Sequence, residues 1–120
     1  MSQQPTFGDL IKFILDNRKD KVFRGETEEQ IVSRCIEGIR EGTLLYNIGT
    51  NNAIDGMILA EDRPSEGVLF VVENLAITLT NLKKFASIAK ERWPTRRLEW
   101  LKRGIHKQHN TTKIYQKLTV

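Results

Sequence analysis

A change from an apolar run to a helical pattern lies within residues 68–94, at the sequence TLTN of residues 78–81. A helix that follows a buried strand often holds phosphate at its N-terminus, because free N–H groups and the helix dipole favour an anion there. Thr78 and Thr80 can instead cap the helix and occupy those amides. The sequence leaves both interpretations open: a phosphate site, or a well-capped helix.

Three further residue types have a chemical interpretation and a plainer one. Glu73 interrupts the apolar run. It is either a general base or a strand-end carboxylate that faces solvent. Cys35 lies on an apolar helical stripe with no histidine near it in sequence, so we interpret it as a small core residue. His106 and His109 lack Cys or Asp companions, so we predict no metal site there.

Capping signals delimit two helices in the N-terminal part of the chain. Thr6 with Asp9, and Thr27 with Gln30, have the spacing of capping boxes. Gly42 follows the second helix and suits a left-handed C-cap. The apolar stripe predicted for that second helix comprises Ile31, Val32, Cys35, Ile36 and Ile39.

The remaining elements are predicted to form a sheet with one crossover helix. Strands are predicted over residues 43–48, 54–62 with a bulge at Gly56, and 68–77, whose unbroken apolar start indicates the sheet centre. A helix over residues 78–92 ends before Pro94 and leads to a parallel strand over 96–101, where Trp100 shares the buried parity of Leu98. The apolar side predicted for the crossover helix comprises Leu79, Leu82, Phe85, Ala86 and Ala89. A short last helix from Thr111 or Thr112, or alternatively a final strand, follows.

Together these elements predict an α/β protein with a mixed α+β sheet in a single domain. Their order is α-α-β-β-β-α-β-(α), mainly antiparallel with one parallel crossover. The 120 residues are 39% apolar, enough for one core. No apolar run reaches the roughly 20 residues of a membrane span, and the N-terminus lacks a secretory pattern. With a single cysteine, we expect a cytoplasmic protein of a host cell, or a virion-associated one if the chain is viral.

The charge is divided unevenly along the chain. Residues 1–77 contain 8 Lys/Arg and 13 Asp/Glu, whereas residues 78–120 contain 11 and 2. The basic half, which includes Trp100 and Tyr115, suits nucleic acid, an acidic protein, a membrane surface or the phosphates of a cofactor. A solvated basic face is the alternative.

The order of the predicted elements and the pattern of apolar and polar residues resemble those of the GNAT N-acetyltransferase fold. The stretches that carry the resemblance are TLLYNIGTNNAIDGMILAED, as its first two strands, and VLFVVENLAITLTNLKKFASIAKERWP, as its third strand and cofactor helix. The chain is also similar to toxin-activating lysine acyltransferases and small phage-encoded relatives, through the "F…A…R.WP" helix and the basic segment WLKRGIHKQHNTTKIYQKL. It departs from both. ITLTNL has no glycine where the fold usually has Gln/Arg-x-x-Gly-x-Gly/Ala, and no histidine lies in the N-terminal region.

The resemblance implies an acyl-CoA-dependent N-acyltransferase acting on an amine, or a non-catalytic member of that fold. It implies that Glu73 or a water molecule is the base and that Tyr115 is the acid. It also implies that acyl-CoA lies along the third strand and the N-terminus of the next helix. The implied cofactor-binding residues are Val72, Asn74, Leu75, Ile77, Thr78, Thr80 and Asn81. The alternative function is a basic binding module for nucleic acid or a partner protein, such as a virion-associated protein.

Overall fold

The computed structural model describes residues 4–18 and 22–100. The elements along the chain are α1 (Phe7–Asn17), α2 (Glu28–Glu41), β1 (Leu44–Ile48), β2 (Ile54–Arg63), a 3-10 turn (Pro64–Glu66), β3 (Val68–Leu75), α3 (Leu79–Arg92) and β4 (Arg97–Trp100). The predicted last helix or strand, Leu101 at the end of the predicted fourth strand, and most of the basic segment lie outside the described residues.

The four strands form one mixed sheet in the order β1-β2-β3-β4. β1 and β3 each pair antiparallel with β2, and β3 pairs parallel with β4 across the α3 crossover. The parallel pairing predicted for the strand after the helix is therefore confirmed, and β3 lies inside the sheet, as its apolar start predicted. The fold is a mixed α+β one with three α-helices in the described residues.

Local hydrogen bonds set the helix boundaries where the sequence indicates them. Both predicted capping boxes are present, with Thr6 and Asp9 at α1 and Thr27 and Gln30 at α2. Gly42 ends α2 in the left-handed region at φ 76°, which costs glycine little because it has no Cβ. These caps satisfy amides and carbonyls that the helix ends leave unpaired.

Helices cover both faces of the sheet and enclose two apolar clusters. One lies between the sheet and α1 and α2, and its fully buried members include Ile14, Ile31 and Cys35. The other lies under α3 and includes Leu98 and Trp100, whose shared parity is confirmed. Cys35 is a buried core residue as predicted, and burial raises the pKa of its thiol to about 11. The thiol is therefore un-ionised near neutral pH.

The predicted apolar stripes of α2 and α3 were wrong at three positions. Ile36 and Ile39 are 44% and 50% exposed, because α2 contacts the sheet through Gly38 instead. A Cβ at Gly38 would lie 2.5 Å from Leu59 Cδ1, so only glycine lets the helix approach this closely. Leu79, predicted on the apolar side of α3, is exposed in its first turn. Among the residues described, no helix is both long and apolar enough to cross a membrane.

Candidate functional site

A β-bulge at Val72 changes which face the second half of β3 presents. Leu59 of β2 pairs with Glu73, but the next residue, Ala60, pairs with Val71, so Val72 is one residue in excess. An extra residue reverses the alternation of side chains along a strand. Leu69 and Val71 accordingly belong to the cluster under α3, whereas Leu75 belongs to the cluster under α1 and α2.

The same bulge directs Glu73, the predicted base, into the layer of α1 and α2. Its Oε1 accepts a hydrogen bond from the Phe23 N–H at 2.8 Å, and its Oε2 accepts one from Arg34 Nη1 at 2.7 Å. Glu73 is 7% exposed, so the alternative of a strand-end carboxylate facing solvent is wrong. That interpretation came from a carboxylate interrupting an apolar run, and the sequence could not show the bulge that turns Glu73 towards α1 and α2. Both oxygens of the Glu73 carboxylate are therefore engaged by the protein itself.

Arg34 joins Glu73 to the segment between α1 and α2. Its guanidinium also pairs with Glu26 and lies 5.0 Å from the centre of the Phe23 ring. Desolvation alone would lower the pKa of Arg34, but its hydrogen bond and attraction to Glu73, followed by those to Glu26, raise it above the ordinary value. Arg34 is thus a fixed cation shared by two carboxylates. No sequence pattern indicated this cluster, because its members are as many as 50 residues apart.

The turn between β3 and α3 holds an unusual backbone conformation. Ile77 has φ 71°, and the Thr78 N–H donates to the Ala76 carbonyl at 2.7 Å, which closes a three-residue turn. Positive φ is rare for a β-branched residue and costs about 1–3 kcal/mol. Thr78 then caps α3 by accepting from the Asn81 N–H, as the capping interpretation predicted.

The Asn81 side chain fixes this turn against β2. Its Nδ2 donates to the Ala76 carbonyl at 3.0 Å and to the Asp55 carbonyl at 3.2 Å. A Cβ at Gly56 would lie 2.6 Å from both the Ala76 oxygen and Asn81 Nδ2, so this close approach requires glycine. Gly56 also follows Asp55, the extra residue where β1 and β2 shift register, which agrees with the bulge predicted there. Asn81 therefore has a structural role, which is to hold the turn against β2, and the sequence predicted only a cofactor contact for it.

Two backbone amides remain available in the first turn of α3. Within the described part of the chain, the Leu79 and Thr80 N–H groups have no hydrogen-bond acceptor. β4, which ends at the last described residue, Trp100, pairs with Val68–Val71 of β3. The predicted cofactor-binding residues Val72, Asn74, Leu75, Ile77, Thr78, Thr80 and Asn81 form one continuous path here. Leu75 and Asn81 are buried, Asn74 is half-buried, and the other four are exposed. Tyr115, the predicted acid, lies outside the described residues.

The arginines in the described part of the basic half are engaged by the protein itself. Arg92 donates to the Gly42 carbonyl at 3.0 Å, and Arg96 Nε donates to Asp62 Oδ1 at 2.7 Å. Arg97 lies 3.6 Å from Glu99. These contacts reduce the cationic groups that this region offers to nucleic acid, and such binding stays a prediction.

No group of three or more His, Cys, Asp or Glu side chains suited to a metal ion occurs in the part of the chain that the structure describes. His106 and His109 lie outside it. No family model, curated protein or solved structure matches the chain. Its function therefore has to be inferred from the contacts described above.

Proposed function

We propose that the chain is an acetyltransferase-like domain that binds acyl-CoA along the second half of β3 and at the N-terminus of α3. The observation that carries the proposal is the continuity of two sets of backbone groups. The second half of β3, Val72–Leu75, leads through the turn at Ile77 directly to the available amides of Leu79 and Thr80. Extended backbone can pair with the amides of the pantetheine arm, and a helix N-terminus favours the diphosphate.

The bulge and the turn support the same assignment. Bulges often lie beside active sites, where they redirect a strand, and strained backbone tends to persist where the surroundings over-determine it. Here the bulge at Val72 begins the proposed path, and the positive φ of Ile77 occurs five residues later, just before the first turn of α3. Gly56 and Asn81 hold the turn in place from β2 and α3.

If the domain is catalytic, the reaction is transfer of the acyl group to an amine. The amine nitrogen attacks the thioester carbonyl carbon, the C–S bond breaks, and the proton lost by nitrogen passes through a base to the departing sulfur. For Glu73 to be that base, it would have to leave Phe23 and Arg34. A water molecule needs no such rearrangement, so we infer that water takes the proton. Release of free thiol from acetyl-CoA with polyamines or lysine peptides as acceptors distinguishes an enzyme from a non-catalytic member of the fold.

Binding is tested by titrating the protein with CoA, with pantetheine as the ligand that lacks the diphosphate. At a hundredfold excess over the dissociation constant, a ligand stabilises the folded state by about 2.7 kcal/mol. For a domain of this size, that corresponds to a rise in melting temperature of about 10 °C. We expect this rise with CoA and a much smaller one with pantetheine. No rise with CoA at millimolar concentration would refute the proposal.

Leu79→Pro tests the helix amide without disturbing the helix. Leu79 is the first residue of α3, where proline is favoured, and Thr78 before it is extended at φ −122°, ψ 156°, as a residue preceding proline should be. Proline removes the N–H, and loss of a hydrogen bond to a charged group should weaken CoA binding about 10- to 100-fold. Leu79→Ala keeps the N–H and is the matched control. Equal affinity of the two variants would place the diphosphate elsewhere.

The alternative, a basic module that binds nucleic acid, makes a separate prediction. Oligonucleotide affinity should then fall steeply as salt rises, because phosphate contacts release counterions. A steep salt dependence without any CoA effect would favour that function over the one proposed.

A further inference from the structure

A second candidate site lies at the opposite end of α3 from the proposed acyl-CoA path. It is a partly enclosed cleft of about 90 Å³ between the last turns of α3 and the start of β4. Its floor is apolar and its rim is cationic. The floor is formed by Leu69, Ala86, Ala89 and Leu98, and the rim by Lys90 and Arg96. No acidic residue lines it.

The charge at the rim is not fully compensated. Arg96 is held by Asp62, with Nε 2.7 Å from Oδ1, so its charge is largely neutralised. Lys90 is exposed, and its ammonium has no carboxylate partner among residues 4–18 and 22–100. An anionic group at the mouth of the cleft would pair with Lys90. The carbonyl groups at the C-terminal end of α3 would repel that anion. Net binding therefore requires that the ligand also bury apolar surface against the floor of the cleft.

The volume of the cleft decides what kind of ligand it suits. Small-molecule sites usually measure about 300–1,000 Å³, and even the benzene-binding cavity made by enlarging a protein core measures about 150 Å³. A cleft of 90 Å³ would leave most of a metabolite in solvent, but it accommodates one aliphatic side chain.

We propose that this cleft is a docking pocket for an acidic segment of a partner protein. One aliphatic side chain of that segment enters the apolar floor, and a neighbouring carboxylate pairs with Lys90. The small apolar pocket supplies the anchor that general charge attraction lacks, so recognition depends on both features together. The proposal does not rest on acyl-CoA binding, and either one can fail without the other.

The test is a titration of ¹⁵N-labelled protein with the peptide acetyl-Gly-Asp-Glu-Leu-Asp-Glu-Gly-amide, followed by two-dimensional NMR. We expect saturable shifts of the Leu69, Ala86 and Leu98 amides at peptide concentrations up to about 5 mM. Replacing the peptide's leucine with glycine should weaken binding about tenfold or more, because the buried aliphatic group is lost. Replacing its acidic residues with glutamine and asparagine should weaken it similarly.

Two matched lysine variants locate the charge. Lys90→Gln should weaken binding about fivefold to tenfold, whereas Lys83→Gln should change it less than about twofold, since Lys83 is exposed on α3 but does not line the cleft. Both substitutions are at the surface and should leave the urea midpoint nearly unchanged. Absence of saturable binding would overturn the proposal. So would equal binding of the leucine and glycine peptides, or equal losses from the two lysine variants, because each would indicate diffuse attraction only.

Discussion

Replacing Glu73 with glutamine separates a structural carboxylate from a catalytic one. The side chain accepts hydrogen bonds from the Phe23 N–H and Arg34, and glutamine keeps its shape but not its charge. Removing one partner from a buried ion pair costs about 3–5 kcal/mol. Arg34 keeps its contact with Glu26, and its side chain is 31% exposed, so the cost here should be smaller. Replacing the two charge-assisted hydrogen bonds of Glu73 with neutral ones also gives a cost of about 2 kcal/mol. We expect Glu73→Gln to lower the free energy of unfolding by about 2 kcal/mol.

Urea unfolding followed by circular dichroism measures this loss. With a slope of about 1–3 kcal/mol per molar urea, the midpoint should fall by about 1 M. Glu61→Gln is the matched control, because Glu61 is a solvent-exposed residue of the adjacent strand β2 and pairs with Arg63 at the surface. Its effect should stay within about 0.5 kcal/mol. A Glu73→Gln protein as stable as the wild type would refute the buried pair. If such a protein also lost acyl transfer, Glu73 would be the base that the resemblance implies.

Three other predictions concern the turn, two glycines and the cysteine. Ile77→Gly should stabilise the protein by about 1 kcal/mol in urea unfolding, because glycine adopts positive φ without strain. Ile77→Ala keeps a side chain at positive φ and should not stabilise the protein. Equal effects of the two substitutions would mean that the turn is unstrained. Gly56→Ala should destabilise by about 1–3 kcal/mol, because its Cβ would lie 2.6 Å from Asn81 Nδ2. Gly8→Ala on α1, whose Cβ would make an ordinary 3.6 Å contact with Thr6 Oγ1, should instead stabilise by about 0.5–1 kcal/mol, and the reverse order would contradict the packing. Because the pKa of Cys35 is raised from 9.0 to about 11, its contribution to stability is full below pH 9 and declines as pH rises through 11. At pH 8, a thiol reagent should label Cys35 only in urea. Rapid labelling of the folded protein would contradict the burial of the thiol.

Features encoded by neighbouring residues could be predicted from the sequence. Thr6, Thr27 and Gly42 cap their helices through contacts with residues a few positions away, and the crossover between β3 and β4 follows from the succession of strand, helix and strand. The inward parity of Trp100 also holds, because β4 is short and regular. These patterns depend on period and spacing, which a sequence displays directly.

Features set by distant partners could not be predicted. The extra residue at Val72 depends on how β2 and β3 pair, and without it alternation assigns Glu73 to the wrong environment. Ile39 fits a helical apolar stripe, but the contact of Gly38 with Leu59 determines which side of α2 meets the sheet. For the candidate site, the sequence suggested a path of residues along β3 and α3, and its role in binding stays a prediction. It did not show that Asn81 is committed to Ala76 and Asp55.

The hydrogen bond between the Phe23 amide and Glu73 also constrains how a nascent chain acquires its structure. These two groups are 50 residues apart, so during synthesis this hydrogen bond cannot form until most of the sheet has left the ribosome. Until then Arg34 has only Glu26 as a carboxylate partner in this cluster, and the two N-terminal helices have no β3 to pack against. The helical layer therefore becomes stable late, together with the strand that seals it, although its residues are translated first.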